Sequence, residues 1–279
     1  MALTEDRRPS DFAIFLNQFR EGWRLQANVI FALIFRQIKM RSANDGYGLY
    51  SLVAVILEPA IGVLILSLFF YVIKKQEIQN VHVALFIGVS YTAFAILRRS
   101  LSSIPRALKS NRSFYAFPNV KPFDTLVASF VMEFILTLIG AALLMLMLWW
   151  FLGLTLKWDG ALEGLGIIGL IVVLGFGLTL CFAVYGTMYS IIGRVLGWTS
   201  RGLFFLSAVM HPVSELPPEA QQYVAWNPAA VLLELLRSYL LGTTPFSGVS
   251  LTYAVIFSIS TLFFGMISYW VYRFKVIER

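Results

Sequence analysis

Residues 165–192 read LGIIGLIVVLGFGLTLCFAVYGTMYSII, 28 consecutive positions without a charged side chain. A run of this length crosses the roughly 30 Å hydrocarbon core of a bilayer as one helix. In hydrocarbon every backbone N–H and C=O must find its partner inside the segment, which makes such a run helical. The rest of the chain repeats the pattern. Residues 49–73 hold a single charge, Glu58; residues 81–97 and 249–272 hold none. Residues 123–156 are interrupted by Asp124 and Glu133. At 1.5 Å per residue that stretch would reach about 50 Å, so it must tilt or project into water.

Composition carries the same message. Of 279 residues, 58% are hydrophobic and only 13% charged, with a mean hydropathy of +0.76. A soluble domain carries about 45–50% apolar and about 25% charged residues. This excludes a disordered chain, a coiled coil, a collagen-like repeat and almost any water-soluble enzyme. At about 20 residues per span the chain has room for about six. The single cysteine, Cys181, supports neither a disulfide framework nor a Cys-rich metal site. The polar start, MALTEDRRPSDF, shows no apolar core with a small-residue cleavage site, so no cleaved leader is expected.

Residues 196–241 are harder to place. The apolar run 202–213 has 12 residues and reaches a full span only by including 198–201. Then come HPVSELPPEAQQYVAWNP and a 13-residue run, 229–241, holding Glu234 and Arg237. Runs of 10–14 apolar residues are more often re-entrant or interfacial than spanning. The reading is a short fifth span followed by a hairpin of two half-helices that enters and leaves by one face. Glu234 and Arg237, three apart, share a helix face; an ordinary surface ion pair is the equal alternative. The expected fold is all-α: a polytopic membrane protein of six transmembrane helices, with an N-terminal amphipathic interface helix and a re-entrant periplasmic helical hairpin (214–245) after the fifth span.

Placing both termini inside puts 18 of the 22 Lys and Arg residues on the inner side, leaving Lys74, Lys75, Lys157 and Arg237 outside. Such an asymmetry is the positive-inside signature. Trp149, Trp150 and Trp158 near an outer end, and Trp270 near the inner end, suit interfacial aromatic belts. From 12 to 40, apolar residues at spacings of three and four alternate with Arg20, Arg24, Arg36 and Lys39. The segment 12–45 is read as a cytoplasmic amphipathic helix on the inner leaflet, where basic residues gain about 1 kcal/mol each; packing on a soluble partner is the alternative, and both are compatible.

Catalytic and ATP-binding signatures are missing. There is no G-x-x-x-x-G-K-[ST], no H-E-x-x-H and no G-x-S-x-G. His82 and His211 are far apart and read as interfacial residues, not metal ligands. A bulky charged solute cannot cross bare hydrocarbon, since the idealised Born cost of one ion is on the order of 20 kcal/mol. Transport would need a wide, wet path. Glu58, Asp124 and Glu133 are read as facing that path or a dimer seam; the alternative is that Glu58 and Asp124 lie near inner ends, wetted or paired with Arg98, Arg99 or Lys121. Tyr91, Phe94, Trp149, Trp150, Tyr185 and Tyr189 offer aromatic faces; for any one of them a lipid-facing or core role is the simpler reading. Gly166, Gly169, Gly175, Gly177 and Gly186 suggest close helix packing.

Three stretches resemble a known family: YGLYSLVAVILEPAIGVLILSLFF (47–70), FPNVKPFDTLVASFVMEFI (117–135) and LSAVMHPVSELPPEAQQYVAWNPAAVLLELLR (206–237). Together they resemble the membrane subunits of type-2 ABC exporters, in the subgroup that exports capsular polysaccharide (KpsM type). The resemblance spans about residues 12–275 and departs at His211-Pro212, where the family often has an aromatic-Pro pair. It implies a homodimer bound to two copies of a separate nucleotide-binding ABC subunit. That subunit holds ATP and Mg; this chain needs no cofactor. The resemblance also implies a lipid-linked polysaccharide cargo, periplasmic and outer-membrane export partners, a bacterial inner-membrane location and no nucleic-acid partner.

On that resemblance, the inner loop 98–122 docks on the ATPase. Ser102-Ser103 before Ile104-Pro105 suits a helix start, giving a short coupling helix over 104–110, with Ser103, Ile104, Arg106, Lys109 and Arg112 as coupling residues. Glu58, Tyr91, Phe94, Glu133, Trp149, Tyr185 and Tyr189 would line the translocation path, and Asn227, Glu234 and Arg237 an outer gate. Alternatives are a permease for O-antigen, teichoic acid or an amphipathic drug, and a stand-alone secondary transporter using Glu58 or Glu133 for protons. The latter lacks an inverted repeat. A membrane glycosyl- or acyltransferase would need a clustered catalytic His or Asp group, which the chain does not have.

Overall fold

The computed structural model describes residues 11–44, 49–72, 77–102, 105, 107–112, 115 and 120–278. Its helices are α1 (Asp11–Asn44), α2 (Leu49–Val72), α3 (Val83–Ser102), α4 (Ala107–Ser110), α5 (Pro122–Leu152), α6 (Ala161–Met188), α7 (Ser190–Leu206), α8 (Pro218–Ala225), α9 (Pro228–Leu241) and α10 (Leu251–Glu278), with a 3-10 turn at Val213–Glu215. Among the described residues, Val83–Ser102, Pro122–Leu152, Ala161–Met188 and Leu251–Lys275 are long and apolar enough to cross a membrane.

Several boundaries differ from the sequence reading, each for a local reason. The third apolar run stops at Leu152 because Gly153, at φ 66°, takes the left-handed cap that a side chain resists. It begins at Pro122, whose missing N–H costs nothing in a first turn, and Asp124 accepts the Lys121 backbone N–H at 3.0 Å. The uncharged run 165–192 is not one helix: Tyr189 adopts an extended conformation (φ −125°, ψ 106°) and separates α6 from α7. α7 therefore starts earlier than expected, and it ends at Leu206, leaving 207–212 outside any helix. Before α3, β1 (Glu77–Ile78) and β2 (Val81–His82) form a small antiparallel hairpin that hydropathy did not reveal. Gln79 and Asn80 at its tip have φ of 51° and 62°, as a two-residue hairpin turn demands.

α3 is the central post. Every residue from Val83 to Val89 is buried, and the helix contacts α2, α5, α6, α7 and α9. α6 packs most extensively on α10. A Cβ at Gly177 would lie 2.7 Å from the Leu262 backbone nitrogen, and one at Gly265 would lie 2.7 Å from the Gly177 carbonyl oxygen. Backbone-to-backbone approach of this kind is how membrane helices gain contact where no hydrophobic force acts between them. Of the five glycines read as packing positions, Gly177 meets backbone in this way and Gly175 meets the side chains of Ser100, Phe130 and Ile96; Gly166, Gly169 and Gly186 have open space beside them. Gly140 lets α5 approach α2 beside Pro59 and the Ile56 carbonyl.

The bundle has two distinct ends. One gathers the β-hairpin, the α5–α6 loop, α8, both ends of α9 and the start of α10. Gln79 donates to Ser214 Oγ at 2.9 Å, Lys157 N–H to the Leu240 carbonyl at 2.8 Å, and Tyr253 O–H to the Trp226 carbonyl at 2.6 Å. The opposite end gathers α1, α4, the start of α5 and the end of α10; there Phe123 N–H donates to Tyr269 Oη at 3.0 Å.

Candidate functional site

Two buried ionic clusters, one near each end of the bundle, hold the charged residues singled out above. The first joins α2, α3 and α5. Arg99, three residues before the end of α3, donates from Nη1 to Glu133 Oε2 at 2.8 Å and from Nη2 to Glu58 Oε2 at 3.1 Å. Arg98 pairs with the other oxygen of Glu58. Arg99 and Glu133 are buried, whereas Glu58 and Arg98 are about one-third exposed. Each helix supplies its charge because each turns that face toward α3. The guanidinium fork suits this position, since it serves two carboxylates in one plane.

Asp124, also read as a possible partner of arginine or lysine or as wetted, is neither. It is 1% exposed and accepts from the Lys121 backbone and from the Gln26 side-chain amide of α1. Gln37 of α1 donates to Ser129 Oγ at 2.8 Å, and Arg36 donates to Asn111 Oδ1 at 2.8 Å. The amphipathic helix thus reaches the bundle through its polar side chains, while Phe19, Trp23, Phe31 and Phe35 stay exposed.

The loop 98–122 is partly described. Ser103, Ile104 and Arg106 lie outside the described residues, and of Lys109 only the backbone, in α4, is described. Arg112 is exposed. The Ser102 hydroxyl donates to the Arg98 carbonyl at 2.8 Å within α3. α4 covers Ala107–Ser110 and Pro105 sits in a turn, while positions 104 and 106 of the expected 104–110 helix lie outside the described residues. Tyr115 anchors the loop, its hydroxyl 3.2 Å from the Leu108 carbonyl and 3.0 Å from Thr125 Oγ1. Burial raises its phenol pKa above the ordinary value, which keeps it a neutral donor.

The path aromatics do not form one lining within the chain. Tyr91 and Phe94 both meet Phe204 of α7 edge-on, at 6.2 and 5.7 Å between centroids. Phe94 is 2% exposed and is a core residue in this conformation, not a surface one. Tyr185 lies against α10, 3.1 Å from Ser268 Oγ and stacked on Phe264. Trp149 is exposed beside Trp150, and Tyr189 is exposed at the α6–α7 break.

The second cluster corrects the surface-pair alternative for Glu234 and Arg237. Both are almost wholly buried, at 2% and 0% exposure. Arg237 donates to Glu234 Oε1 at 3.2 Å, to the Ala208 carbonyl at 3.0 Å and to the Leu233 carbonyl at 3.3 Å, with its guanidinium 4.5 Å from the Phe86 ring centroid. Glu234 also accepts the Val213 N–H at 3.0 Å. Asn227 caps α9, accepting from Ala229 N–H at 3.0 Å, while its amide donates to Ser207 Oγ at 3.1 Å. Hydropathy flagged these charges. It carried no signal for their partners Phe86, Ala208 and Val213, which are apolar or act through backbone. Among the described residues no three His, Cys, Asp or Glu side chains come together to hold a metal ion.

The profile of the ABC-2 type transporter family matches residues 28–241. The polysialic acid transport protein KpsM of Escherichia coli is 28% identical over 259 residues, 90% of this chain and 95% of that protein. The capsule polysaccharide export inner-membrane protein BexB of Haemophilus influenzae is 22% identical over 253 residues, covering 89% and 92% of the two chains. CtrC of Neisseria meningitidis serogroup B, which carries the same description, is 22% identical over 260 residues, covering 91% and 94%.

Proposed function

The chain belongs to the ABC-2 type transporter family, and on that premise we propose that it is the membrane-embedded subunit of an ATP-driven exporter that moves a lipid-linked capsular polysaccharide across the bacterial inner membrane. The observation that carries this reading is the near end-to-end similarity to inner-membrane proteins of capsule export, 95% of KpsM being covered. The chain forms the corridor as a homodimer, and two copies of a separate nucleotide-binding subunit supply ATP hydrolysis, with Mg, because this sequence has no phosphate-cradling loop. α2 and α7 complete six spans with the four long apolar helices. Both termini and the loop 98–122 face the cytoplasm, and α8 and α9, within 214–245, form the outer gate. Periplasmic and outer-membrane components continue the route.

The clusters fit this role. Arg98 and Arg99 sit where α3 runs into the loop that meets the ATPase, and they bind α2 and α5 to α3. A push on the loop then moves three helices together. In the secondary-transporter alternative Glu58 or Glu133 would load protons; both are instead committed to arginines. Permeases for O-antigen or teichoic acid share the architecture and differ in cargo.

The test is deletion of the gene followed by staining of surface glycans, with affinity purification of the tagged chain. Loss of surface capsule with polysaccharide retained inside, and recovery of a Walker-motif ATPase with the chain, is the expected result. Unchanged capsule with a missing O-antigen reassigns the cargo. Unchanged surface glycans of every kind overturn the reading.

A further inference from the structure

Between α1 and the first three turns of α5 lies an apolar groove of about 830 Å³, within the roughly 300–1,000 Å³ of small-ligand sites. Phe123, Val127 and Val131, at i, i+4 and i+8, form one wall. Trp23 and Ile30 of α1 stand opposite, and Gly22 leaves the wall open: nothing lies within 4 Å of where its Cβ would be. The polar side chains in the lining are Gln18 and Gln26, and the Gln26 amide is already donated to Asp124. An apolar cavity of this kind gives water too few partners.

The rim is cationic. Arg20 and Arg24 are both exposed and stand at i and i+4 on one flank of α1; Lys121 is exposed at the head of α5. At 100° per residue Arg20 and Arg24 lie within about 60° of the lining residues Ala27 and Phe31, whereas Glu21, the acid of this stretch, lies about 120° and about 80° from them. An apolar slot with a one-sign positive rim, on a helix suited to the bilayer interface, matches a ligand with a hydrocarbon tail and an anionic head.

We propose that this groove seats one acyl chain of an anionic glycerophospholipid from the surrounding leaflet, with the phosphate held by Arg20 and Arg24. The lipid completes the seam between α1 and α5, which side-chain hydrogen bonds cross at Gln26–Asp124 and Gln37–Ser129. The inference rests on the chain being embedded in a membrane and is independent of which glycan it exports, so the deletion experiment and the one below fail separately.

The test uses the full chain in phosphatidylcholine vesicles. The Trp23 signal is isolated as the difference in fluorescence between the wild type and Trp23→Phe, and brominated phosphatidylglycerol or brominated phosphatidylcholine serves as quencher. Quenching by the anionic lipid should saturate at a low mole fraction. Arg20→Gln and Arg24→Gln should each raise the half-saturating fraction roughly fivefold. Gly22→Leu fills the slot and should remove the saturable component. Equal quenching by both lipids in proportion to their mole fraction identifies ordinary annular lipid and overturns the proposal. Absence of any quenching shows the face covered by protein and also overturns it. The arginine variants keep the test decisive even if Gly22→Leu folds poorly.

Discussion

Arg99 Nη1 of α3 lies 2.8 Å from Glu133 Oε2 of α5, and both side chains are sealed from solvent. Removing one member of such a pair costs about 3–5 kcal/mol, because the other charge is stranded. Arg99→Met alone should therefore destabilise the bundle by that order. Arg99→Met with Glu133→Leu should recover much of the loss, since Glu58 keeps Arg98. Thermal unfolding in detergent reads both, and a double variant no better than either single one contradicts the assignment.

Arg237 satisfies two carbonyls and a carboxylate and lies over Phe86 at the same time. Lysine keeps the charge and loses the fork and the flat face. Arg237→Lys should cost about 1.5–3 kcal/mol and speed proteolysis across 207–227, the segment its side chain pins through Ala208. Unchanged stability and cleavage would mean the guanidinium geometry is dispensable.

The α6–α10 contact gives a prediction with its own control. Gly177→Ala must push α10 away from α6 and should cost about 1–3 kcal/mol. Gly166→Ala, on the same helix with open space at its Cβ, should cost nothing and gain slightly from better helix propensity. Melting temperatures of the two variants separate backbone contact from a general intolerance of side chains in α6.

Arg106→Glu combined with Lys109→Glu should uncouple ATP hydrolysis from export without preventing membrane insertion. ATPase activity of the reconstituted complex, measured beside surface glycan, reads the uncoupling. Normal export from that double variant removes the coupling role from the loop.

Much of this was legible in the sequence. The apolar runs located α2, α3, α5, α6 and α10, because hydrocarbon forces helical pairing on any long uncharged stretch. Asn227-Pro228 announced the start of α9, because an Asn cap with Pro in the first turn is a local chemical signal. The Tyr189 break was hidden: no Pro or charge marks it, and hydropathy does not see a backbone that turns. Nor could spacing show that Glu58 and Glu133, 75 residues apart in sequence, meet at one arginine, since that is a property of helix packing. The aromatic residues were the least readable, as a ring such as that of Phe94 or Trp149 can serve a core, a lipid face or a sugar, and only the neighbours in space distinguish these roles.

α9 is fastened at both extremities: Asn227 to the carbonyl of Leu206 and the hydroxyl of Ser207, Leu240 to the amide of Lys157. It cannot swing as a single-hinged door. On the proposed export role, any widening at that end would lift the tail of α7, the hairpin and the α5–α6 turn as one plate, so the aperture would be set by the travel of whole helices.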